Sequence, residues 1–573
     1  MARPSIRFRR ASAERVSACV TAAVLAALSI LASVALPAQA SAARRFEVSF
    51  PESLRREAVT GRLIVVVTRA DSPEPRLTIS PYGPPIFGAD VEKLRPGSVA
   101  TIDEKSPGYP LPGLDDLPAG DYFVQAVLNV YTECRRSDGR TIWVHLDRST
   151  GAPFNVSPGN MYSDPQKIRL DPGADSIVKL KLSHVLPEVK MPADTEWLQH
   201  VWIQSQRLSK FWGQPVYFGA TVLLPKGYKA HPKSHYPAVY VFEHGVPFGF
   251  NPDPKSHERA EAGARSAGLE TGYEFFQSWT SEGFPRFIAV TFHQPTPFFP
   301  SSYSVNSANC GPSGDALLQE LIPYLEKKFR TISKPYARLV EGASTGGWEA
   351  LSLQLRHPET FGGAWVYNPD PIDFRRYQLV NIYEDENAFT FPSTDWRTAE
   401  RPFRRTTEGQ VLDSVRSMSL FEEVLGSSGR SGYQLMGWEA VYGPVGPDGY
   451  PAPLWDKRTG KIDRSVADDM RENGYDLREY AGRNWAALGP KLEGKLNFFA
   501  GEMDNFYLNL AVYLFEDFLR SAPAPQLPIR FEYGRPKKGH NWHPFTWAQM
   551  LREMAAHITK QAPPGEDTSF WNY

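Results

Sequence analysis

Two different hydrophobic patterns divide this chain of 573 residues. Up to about residue 184, apolar and polar residues alternate in short runs, which is the period of a half-buried strand. Such runs occupy residues 46–50, 61–69, 120–131 and 175–182. Clusters of Pro, Gly and Asp separate the runs, as turns separate short strands. The pattern therefore predicts a β-sandwich domain over residues 45–184.

After a Pro-rich stretch the pattern changes to apolar strands that alternate with segments of helical length. Residues 185–215 are predicted to form a linker and the entry to this second domain, which extends over residues 216–565. Alternation of this kind predicts an α/β fold with a mostly parallel sheet. The predicted strands are 216–224, 238–243, 286–292, 337–341, 363–367, 495–500 and 529–533, and the predicted helices are 313–329, a segment beginning near 347, 506–519 and 544–558.

A long insert interrupts this alternation. Residues 383–492 are charged, aromatic and only partly helical, with helical patterns at 420–425 and 466–472. Inserts between the strands of such a sheet commonly shape the binding pocket. We therefore predict that residues 383–492 form a cap over the second domain.

The first forty residues predict export. Five arginines lead into an apolar run, and Ala38-Gln39-Ala40 supplies the small-x-small pattern that precedes a signal cleavage site. We expect a signal peptide over residues 1–40, a periplasmic or extracellular protein, and no stable membrane span after cleavage. An uncleaved anchor is the alternative, because the apolar run approaches the length of a bilayer span.

Charge and cysteine content exclude several classes of protein. The chain has 63 Lys and Arg against 64 Asp and Glu, a net charge of −1, which provides no field to hold nucleic acid. Cys134 and Cys310 lie in different predicted domains, so two separate thiols are expected rather than a disulfide. Cys and His do not occur at zinc-binding spacing, and neither a metal nor a cofactor is expected. The oligomeric state is not indicated.

The residues Gly342-Ala343-Ser344-Thr345-Gly346 fit the Gly-x-Ser-x-Gly pattern of a nucleophile elbow. A predicted strand precedes the motif and a helical pattern follows it, which is the context that an elbow requires. Ser344 is therefore the candidate nucleophile. The backbone N–H of Thr345, at the start of the helix, is the candidate oxyanion donor. A second donor is expected after the strand at 238–243, from Gly245 or Val246.

A serine hydroxyl needs a neighbouring imidazole to remove its proton, and in this class of fold the histidine comes late in the chain. His540 stands in a loop between the predicted strand 529–533 and the last predicted helix. That loop is where the fold delivers its general base. His543, three residues later, is the competing candidate.

The carboxylate that orients the histidine is expected after the strand at 495–500. Asp504 is the preferred candidate, and Glu502 in the same loop is an alternative. Asp370 and Asp373, which follow an earlier strand, could also serve. Three of these residues also have a purely structural interpretation. Asp504 could cap a helix, and Asp370 and Asp373 stand in a Pro-rich turn.

Four spaced blocks carry a family resemblance: Tyr236-Pro237-Ala238-Val239-Tyr240, Leu321-Ile322-Pro323-Tyr324-Leu325-Glu326 with Phe329-Arg330-Thr331, the elbow, and Gly539-His540-Asn541-Trp542 with Trp547. In these blocks the second half of the chain resembles the putative-esterase family of the α/β-hydrolase superfamily. That family includes esterase D, enterochelin esterase and the mycolyl-transferring antigen 85 proteins. The resemblance implies that Ser344, Asp504 and His540 form a catalytic triad. The long insert departs from family members of minimal size.

The sequence thus predicts a serine hydrolase that cleaves a small or polymeric carboxylic ester through an acyl-enzyme, without a cofactor. An acyltransferase with the same triad, a serine peptidase and a noncatalytic binding protein are the alternatives. The aromatic residues that could line its pocket are Phe298, Phe299, Tyr303, Trp438 and Trp455.

Overall fold

A computed structural model describes residues 44–146, 151–171, 176–242, 245–256, 270–393 and 396–568. The predicted signal peptide, residues 1–40, lies outside these ranges. Within them, no helix combines the length and the apolar character that crossing a membrane requires.

The first part of the described chain is a sheet of ten strands with the order β4-β1-β10-β8-β6-β2-β3-β5, and β7 and β9 pair with β6. The pairings are antiparallel except for that between β1 and β10. The strands are β1 Arg44–Ser49, β2 Val59–Thr68, β3 Ile86–Leu94, β4 Ala100–Ile102, β5 Gly108–Tyr109, β6 Gly120–Arg135, β7 Thr141–Val144, β8 Met161–Ser163, β9 Gln166–Leu170 and β10 Ser176–Val185.

A β-sandwich has two separate sheets, whereas here strand β10 joins the two parts into one sheet. The first six residues of β10 pair with β1, and from Leu182 onward the strand pairs with β8, with a register shift between Leu182 and His184. Apolar side chains from both parts, such as Val48 and Leu128, belong to the same buried cluster. The predicted sandwich domain is therefore one continuous hydrogen-bonded path around a single core.

The second sheet has eight strands in the order β11-β12-β14-β13-β17-β18-β21-β22. Five of its pairings, from β14 through β13 to β22, are parallel, whereas β11–β12 and β12–β14 are antiparallel. The remaining strands of the chain are β11 Leu198–Ser205, β12 Val216–Leu223, β13 Ala238–Phe242, β14 Ile288–His293, β15 Asn306–Ser307, β16 Gly311–Pro312, β17 Arg338–Ala343, β18 Gly363–Tyr367, β19 Pro402–Arg405, β20 Val411–Ser414, β21 Leu496–Gly501 and β22 Arg530–Gly534.

Helices connect these strands. A π-helical turn, Leu317–Leu321, joins α3 to α4, so residues 313–329 are continuously helical as the sequence predicted. The helices are α1 Gln206–Trp212, α2 Gly272–Trp279, α3 Ser313–Ala316, α4 Ile322–Phe329, α5 Thr345–Arg356, α6 Val415–Leu425, α7 Gln434–Tyr442, α8 Arg464–Glu472, α9 Leu477–Leu488, α10 Asn509–Ser521 and α11 Trp547–Gln561.

The prediction of a linker over residues 185–215 needs correction. Residues 198–205 form β11, which pairs along its whole length with β12, and α1 follows it directly. The strand lies at the edge of the sheet and most of its side chains are only partly buried. Its apolar and polar residues therefore do not alternate cleanly, and the sequence pattern did not reveal it.

The N-terminal sheet packs on the insert between β18 and β21. Arg62 of β2, only 4% exposed, donates from Nε to the carbonyl of Val424 at 3.0 Å and from Nη2 to that of Glu423 at 2.8 Å. In return, Arg430 of the insert donates to the carbonyl of Trp143 at 3.0 Å. Buried arginines that satisfy free carbonyls hold the two surfaces in one orientation.

Both described cysteines are buried free thiols, as predicted. Cys134 lies in β6 of the N-terminal sheet, whereas Cys310 lies between β15 and β16. Burial raises the pKa of Cys134 to about 12 and that of Cys310 to about 11, so neither is an activated nucleophile at neutral pH.

Candidate active site

Ser344 occupies a strained turn between β17 and α5. Its backbone has φ 57° and ψ −120°, a left-handed conformation that is unusual for serine. The turn is held on both sides: Ser344 N–H donates to the carbonyl of Tyr367 at 3.0 Å, and Asp370 N–H donates to the carbonyl of Ser344 at 2.9 Å. The strain is therefore supported by the neighbouring strand β18 and the loop after it.

The glycines around Ser344 are required by close backbone contacts. A Cβ on Gly346 would lie 1.7 Å from the carbonyl oxygen of Phe242, and a Cβ on Gly342 would lie 2.4 Å from the backbone of Gly346. No side chain fits at these distances. The Gly-x-Ser-x-Gly pattern thus reflects how tightly the elbow packs against the end of β13.

Asp504 and His540 are in direct contact. His540 Nδ1 lies 2.6 Å from Asp504 Oδ2, and the Asp504 carboxylate is fully buried. The other carboxylate oxygen accepts hydrogen bonds from the backbone N–H groups of Phe506, at 2.8 Å, and Leu508, at 3.1 Å. Because a carboxylate accepts, Nδ1 carries the hydrogen and the lone pair of Nε2 is left available.

His543, the alternative candidate for the general base, lies in a different environment from His540. His543 is buried, and its ring packs 4.3 Å from Tyr367 and 4.5 Å from Trp547 between ring centroids. Among the described residues its Nδ1 has no hydrogen-bond partner. Burial, together with the charge of His540, lowers the pKa of His543 to about 3, so this imidazole is neutral. His543 is a packing residue.

The alternative acids also face other groups. Glu502 accepts from the backbone of Lys537 at 2.9 Å and lies 3.4 Å from Arg535. Asp373 forms an ion pair with Arg375 at 2.6 Å. Of the four carboxylates considered, Asp504 alone is hydrogen-bonded to His540.

Asp370, predicted as an alternative acid, is hydrogen-bonded to Ser344 instead of His540. The Ser344 hydroxyl donates to Asp370 Oδ1 at 3.2 Å. Its Oδ2 accepts from Tyr303 at 2.5 Å, Gln434 at 3.0 Å, Trp438 at 3.1 Å and Thr345 at 3.0 Å. Gln434 and Trp438 belong to α7 of the insert, so the insert reaches the elbow through this carboxylate.

The hydrogen bond expected between Ser344 and His540 is not formed in this structure, in which the serine hydroxyl is directed to Asp370. Phe506 connects the two regions, because its ring lies 5.0 Å from that of His540 and borders the same cavity as Ser344. Proton transfer from Ser344 to His540 would require the serine hydroxyl to leave Asp370.

The pKa of His540 reflects opposing effects. Burial disfavours the imidazolium, but the charge and hydrogen bond of Asp504 favour it, and the charge of Asp370 adds to them. The net result is a raised pKa for His540. Burial also raises the pKa of Asp370, although its hydrogen-bond donors offset part of that effect.

Two cavities meet at Ser344. The first, called here the interface cavity, has a volume of about 270 Å³ and lies between the N-terminal sheet, the insert and the elbow. Most of its wall is apolar or aromatic. Its lining residues are Pro81, Tyr82, Ser344, Asp370, Gln378, Phe403, Arg404, Asp413, Met418, Gln434, Trp438, Phe506 and Leu508.

The second cavity, called here the strand-end cavity, has a volume of about 280 Å³ and lies beyond the ends of β13 and β14. It shares Ser344 and Gln434 with the interface cavity and is more polar. Its lining residues are Phe242, Phe292, Gln294, Phe299, Pro300, Ser301, Ala343, Ser344, Thr345, Gly346, Glu349 and Gln434. Burial raises the pKa of Glu349 to about 7.

The predicted oxyanion donors lie at the ends of two neighbouring strands. Thr345 is the first residue of α5, and an N–H at that position has no partner within its own helix. Gly245 has φ 99° and is exposed, and Val246 is partly buried. Both follow β13, whose last residue, Phe242, contacts the elbow.

Several residues of the site were missed by the sequence analysis. Pro81 and Tyr82 come from the N-terminal sheet, and Phe403 and Arg404 come from β19 of the insert. None stands in a motif. Of the aromatic candidates, Phe299, Tyr303 and Trp438 lie at the site, whereas Phe298 and Trp455 are buried away from both cavities.

Comparisons with known proteins found similar solved structures that cover 63% to 64% of this chain. A solved structure of a ferulic acid esterase is 16% identical, with a TM-score of 0.33, over 64% of this chain and 98% of that one. A fluorophosphonate-binding serine hydrolase from Staphylococcus aureus is 15% identical, with a TM-score of 0.31, over 63% and 98%. An S-formylglutathione hydrolase from Agrobacterium tumefaciens is 12% identical, with a TM-score of 0.30, over 64% and 98%.

No curated protein matches the sequence of this chain. A protein family described as "Putative esterase" matches residues 217–372, which extend from β12 through the elbow to the loop that carries Asp370. Over this segment the chain is similar to the Putative esterase family.

Proposed function

We propose that the protein is an exported serine hydrolase that cleaves carboxylic esters with Ser344 as nucleophile, His540 as general base and Asp504 as the orienting acid. Two observations carry the proposal: the 2.6 Å contact between His540 Nδ1 and a fully buried Asp504, and the strained elbow on which Ser344 stands. Such a pair leaves Nε2 free to accept a proton from a serine hydroxyl.

In the proposed reaction the Ser344 hydroxyl leaves Asp370, turns to His540 and attacks the ester carbonyl while the imidazole takes its proton. Asp504 stabilises the imidazolium, which then protonates the departing alcohol. Water, deprotonated by the same imidazole, releases the acyl group from Ser344. Backbone N–H groups of Thr345 and of Gly245 or Val246 stabilise the oxyanion in both steps.

The two cavities support an ester as the substrate. They meet at Ser344, so a carbonyl at the serine can place one substituent in the interface cavity and the other in the strand-end cavity. Each has room for a small-molecule group or for the end of a polymeric ester. In this proposal the α/β-hydrolase sheet carries the triad, and the insert at 383–492 is its cap.

The proposal predicts a burst of product before steady turnover. With a p-nitrophenyl ester in excess, p-nitrophenol should appear in a rapid phase of about one equivalent per protein, because the acyl-enzyme forms before water removes the acyl group. Stopped-flow absorbance measures the burst, and mass spectrometry of the quenched protein should locate the acyl group on the peptide that contains Ser344.

The rival reactions give different results in the same assay. Acyl transfer to added glycerol or sugar in preference to water would identify an acyltransferase. Cleavage of peptide p-nitroanilides with no cleavage of esters would identify a peptidase. A protein that neither reacts with esters nor accepts a fluorophosphonate would contradict the whole proposal.

Asp370→Asn is expected to move the acid limb of the pH–rate profile to lower pH. The neutral imidazole is the base, so activity falls as the pH falls through the pKa of His540, and the charge of Asp370 helps to raise that pKa. Removing this charge lowers the pKa. The asparagine oxygen can keep the donors on Oδ2, and its amide can then donate to the Ser344 hydroxyl.

The measurement is kcat/KM for a p-nitrophenyl ester from about pH 4 to about pH 9. Asp373→Asn is the matched control, because Asp373 is equally buried in the same loop but is paired with Arg375. An unchanged acid limb in Asp370→Asn, or an equal shift in the control, would contradict the role assigned to the Asp370 charge.

A further inference from the structure

The N-terminal sheet contributes to the cavity at the nucleophile. Pro81 and Tyr82 follow a short 3-10 helix, Pro75–Thr78, and both border the interface cavity together with Ser344. A domain with only a packing or spacer role would not need to contribute residues to the cavity that contains Ser344. The position of this loop therefore indicates a role in the active site.

Tyr82 is fixed in place although its side chain is 53% exposed. Its hydroxyl donates to Asp413 Oδ2, and its ring lies 4.3 Å from the guanidinium carbon of Arg404. Asp413 and Arg404 belong to the paired strands β19 and β20 of the insert. Burial and the hydrogen bond to Asp413 raise the pKa of Tyr82, so the ring remains neutral in the pH range of interest.

The surfaces that hold this loop are tightly packed. A Cβ on Gly88 of β3 would lie 2.2 Å from the carbonyl oxygen of Val424 in α6. The rings of Tyr109 and Phe421 pack edge to face with centroids 5.3 Å apart. Backbone contact of this kind, together with the hydrogen bond from the buried Arg62, prevents the N-terminal sheet from shifting against α6. The Tyr82 side chain is thus a fixed part of the wall of the interface cavity.

We propose that the N-terminal domain is a specificity element of the active site, in which Tyr82 limits the size of the ester substituent that enters the interface cavity. The proposal rests on the esterase function proposed above. The substituent is an apolar one, because Phe403, Met418 and Phe506 also line the interface cavity. Tyr82 is a specificity residue and takes no part in proton transfer.

The test is Tyr82→Ala, assayed with two series of esters. One series lengthens the acyl chain on a constant p-nitrophenol, and the other enlarges the leaving group on a constant acetate. In the series that extends into the interface cavity, the ratio of kcat/KM for bulky esters to that for the smallest ester should rise on the order of tenfold.

Two further variants test whether the selectivity depends on the aromatic ring of Tyr82. Tyr82→Phe removes the hydrogen bond to Asp413 but keeps the wall, and it should retain the selectivity of the wild type. Val99→Ala changes an equally exposed loop side chain of the same N-terminal domain, 53% exposed, that does not border the cavity, and it should leave the selectivity unchanged. A loss of selectivity in Tyr82→Phe as large as that in Tyr82→Ala would overturn the assignment to the ring.

Failure of this proposal is distinguishable from failure of the proposed function. Suppose that the wild type is labelled by a fluorophosphonate and hydrolyses esters, and that Tyr82→Ala has unchanged selectivity in both series. The role of Tyr82 in limiting substrate size is then refuted, while the proposed esterase function stands. If the wild type shows neither labelling nor hydrolysis, the esterase itself is refuted and the wall with it.

Discussion

Ser344→Ala is expected to abolish ester turnover, with a loss in kcat on the order of 10⁶-fold. In the proposed mechanism the hydroxyl of Ser344 forms the acyl-enzyme, and alanine offers no substitute. Folding should be unaffected, because the side chain makes a single hydrogen bond, to Asp370, and that carboxylate keeps four other donors. Steady-state kinetics, covalent labelling by a fluorophosphonate and thermal unfolding measure the three effects.

The matched control for this variant is Ser352→Ala. Ser352 is a buried serine on the same helix, α5, where it accepts a hydrogen bond from Arg356 at 3.0 Å and does not border either cavity. It should keep full labelling and turnover at some cost in stability. Turnover that persists in Ser344→Ala, or labelling at another residue, would place the nucleophile elsewhere.

Local patterns predicted most elements of the second sheet. The strand at 363–367 is found with the predicted bounds, and β12, β17, β21 and β22 lie within two residues of theirs. Central strands of this sheet are buried on both faces, so each appears in the sequence as a short continuous apolar run. Helix α10 was predicted to begin at 506 and begins at Asn509. The Asp504 carboxylate binds the N–H groups of Phe506 and Leu508 and thereby holds a turn before the helix.

The candidate site was partly accessible from the sequence, because an elbow, an acid loop and a histidine loop each follow a strand. The sequence identified both partners of the 2.6 Å contact, whereas their catalytic roles remain predictions. The contact between Ser344 and Asp370 was not predicted. It depends on donors from two distant segments, the loop with Tyr303 and helix α7 with Gln434 and Trp438, which no local pattern brings together.

The reach of the N-terminal sheet into the interface cavity could not be predicted either. Tyr82 stands in a turn rich in Pro and Gly, which by itself indicates only a loop. Its position is set by Arg62 and Gly88, which meet the backbone of α6 more than 300 residues later in the chain. Docking of this kind depends on the tertiary fold, and one sequence contains no spacing that encodes it.

Asp504→Asn is expected to lower kcat by about 10⁴-fold. The asparagine oxygen would keep the hydrogen bonds from Phe506 and Leu508, and its amide group would then face His540 Nδ1 as a donor. That contact fixes the imidazole in the tautomer whose hydrogen is on Nε2, which cannot accept a proton from Ser344. Loss of the Asp504 charge also lowers the pKa of His540, so the residual activity should extend to lower pH. Glu502→Gln in the same loop is the control and should keep wild-type kinetics, whereas full activity in Asp504→Asn would transfer the role of the acid to Asp370.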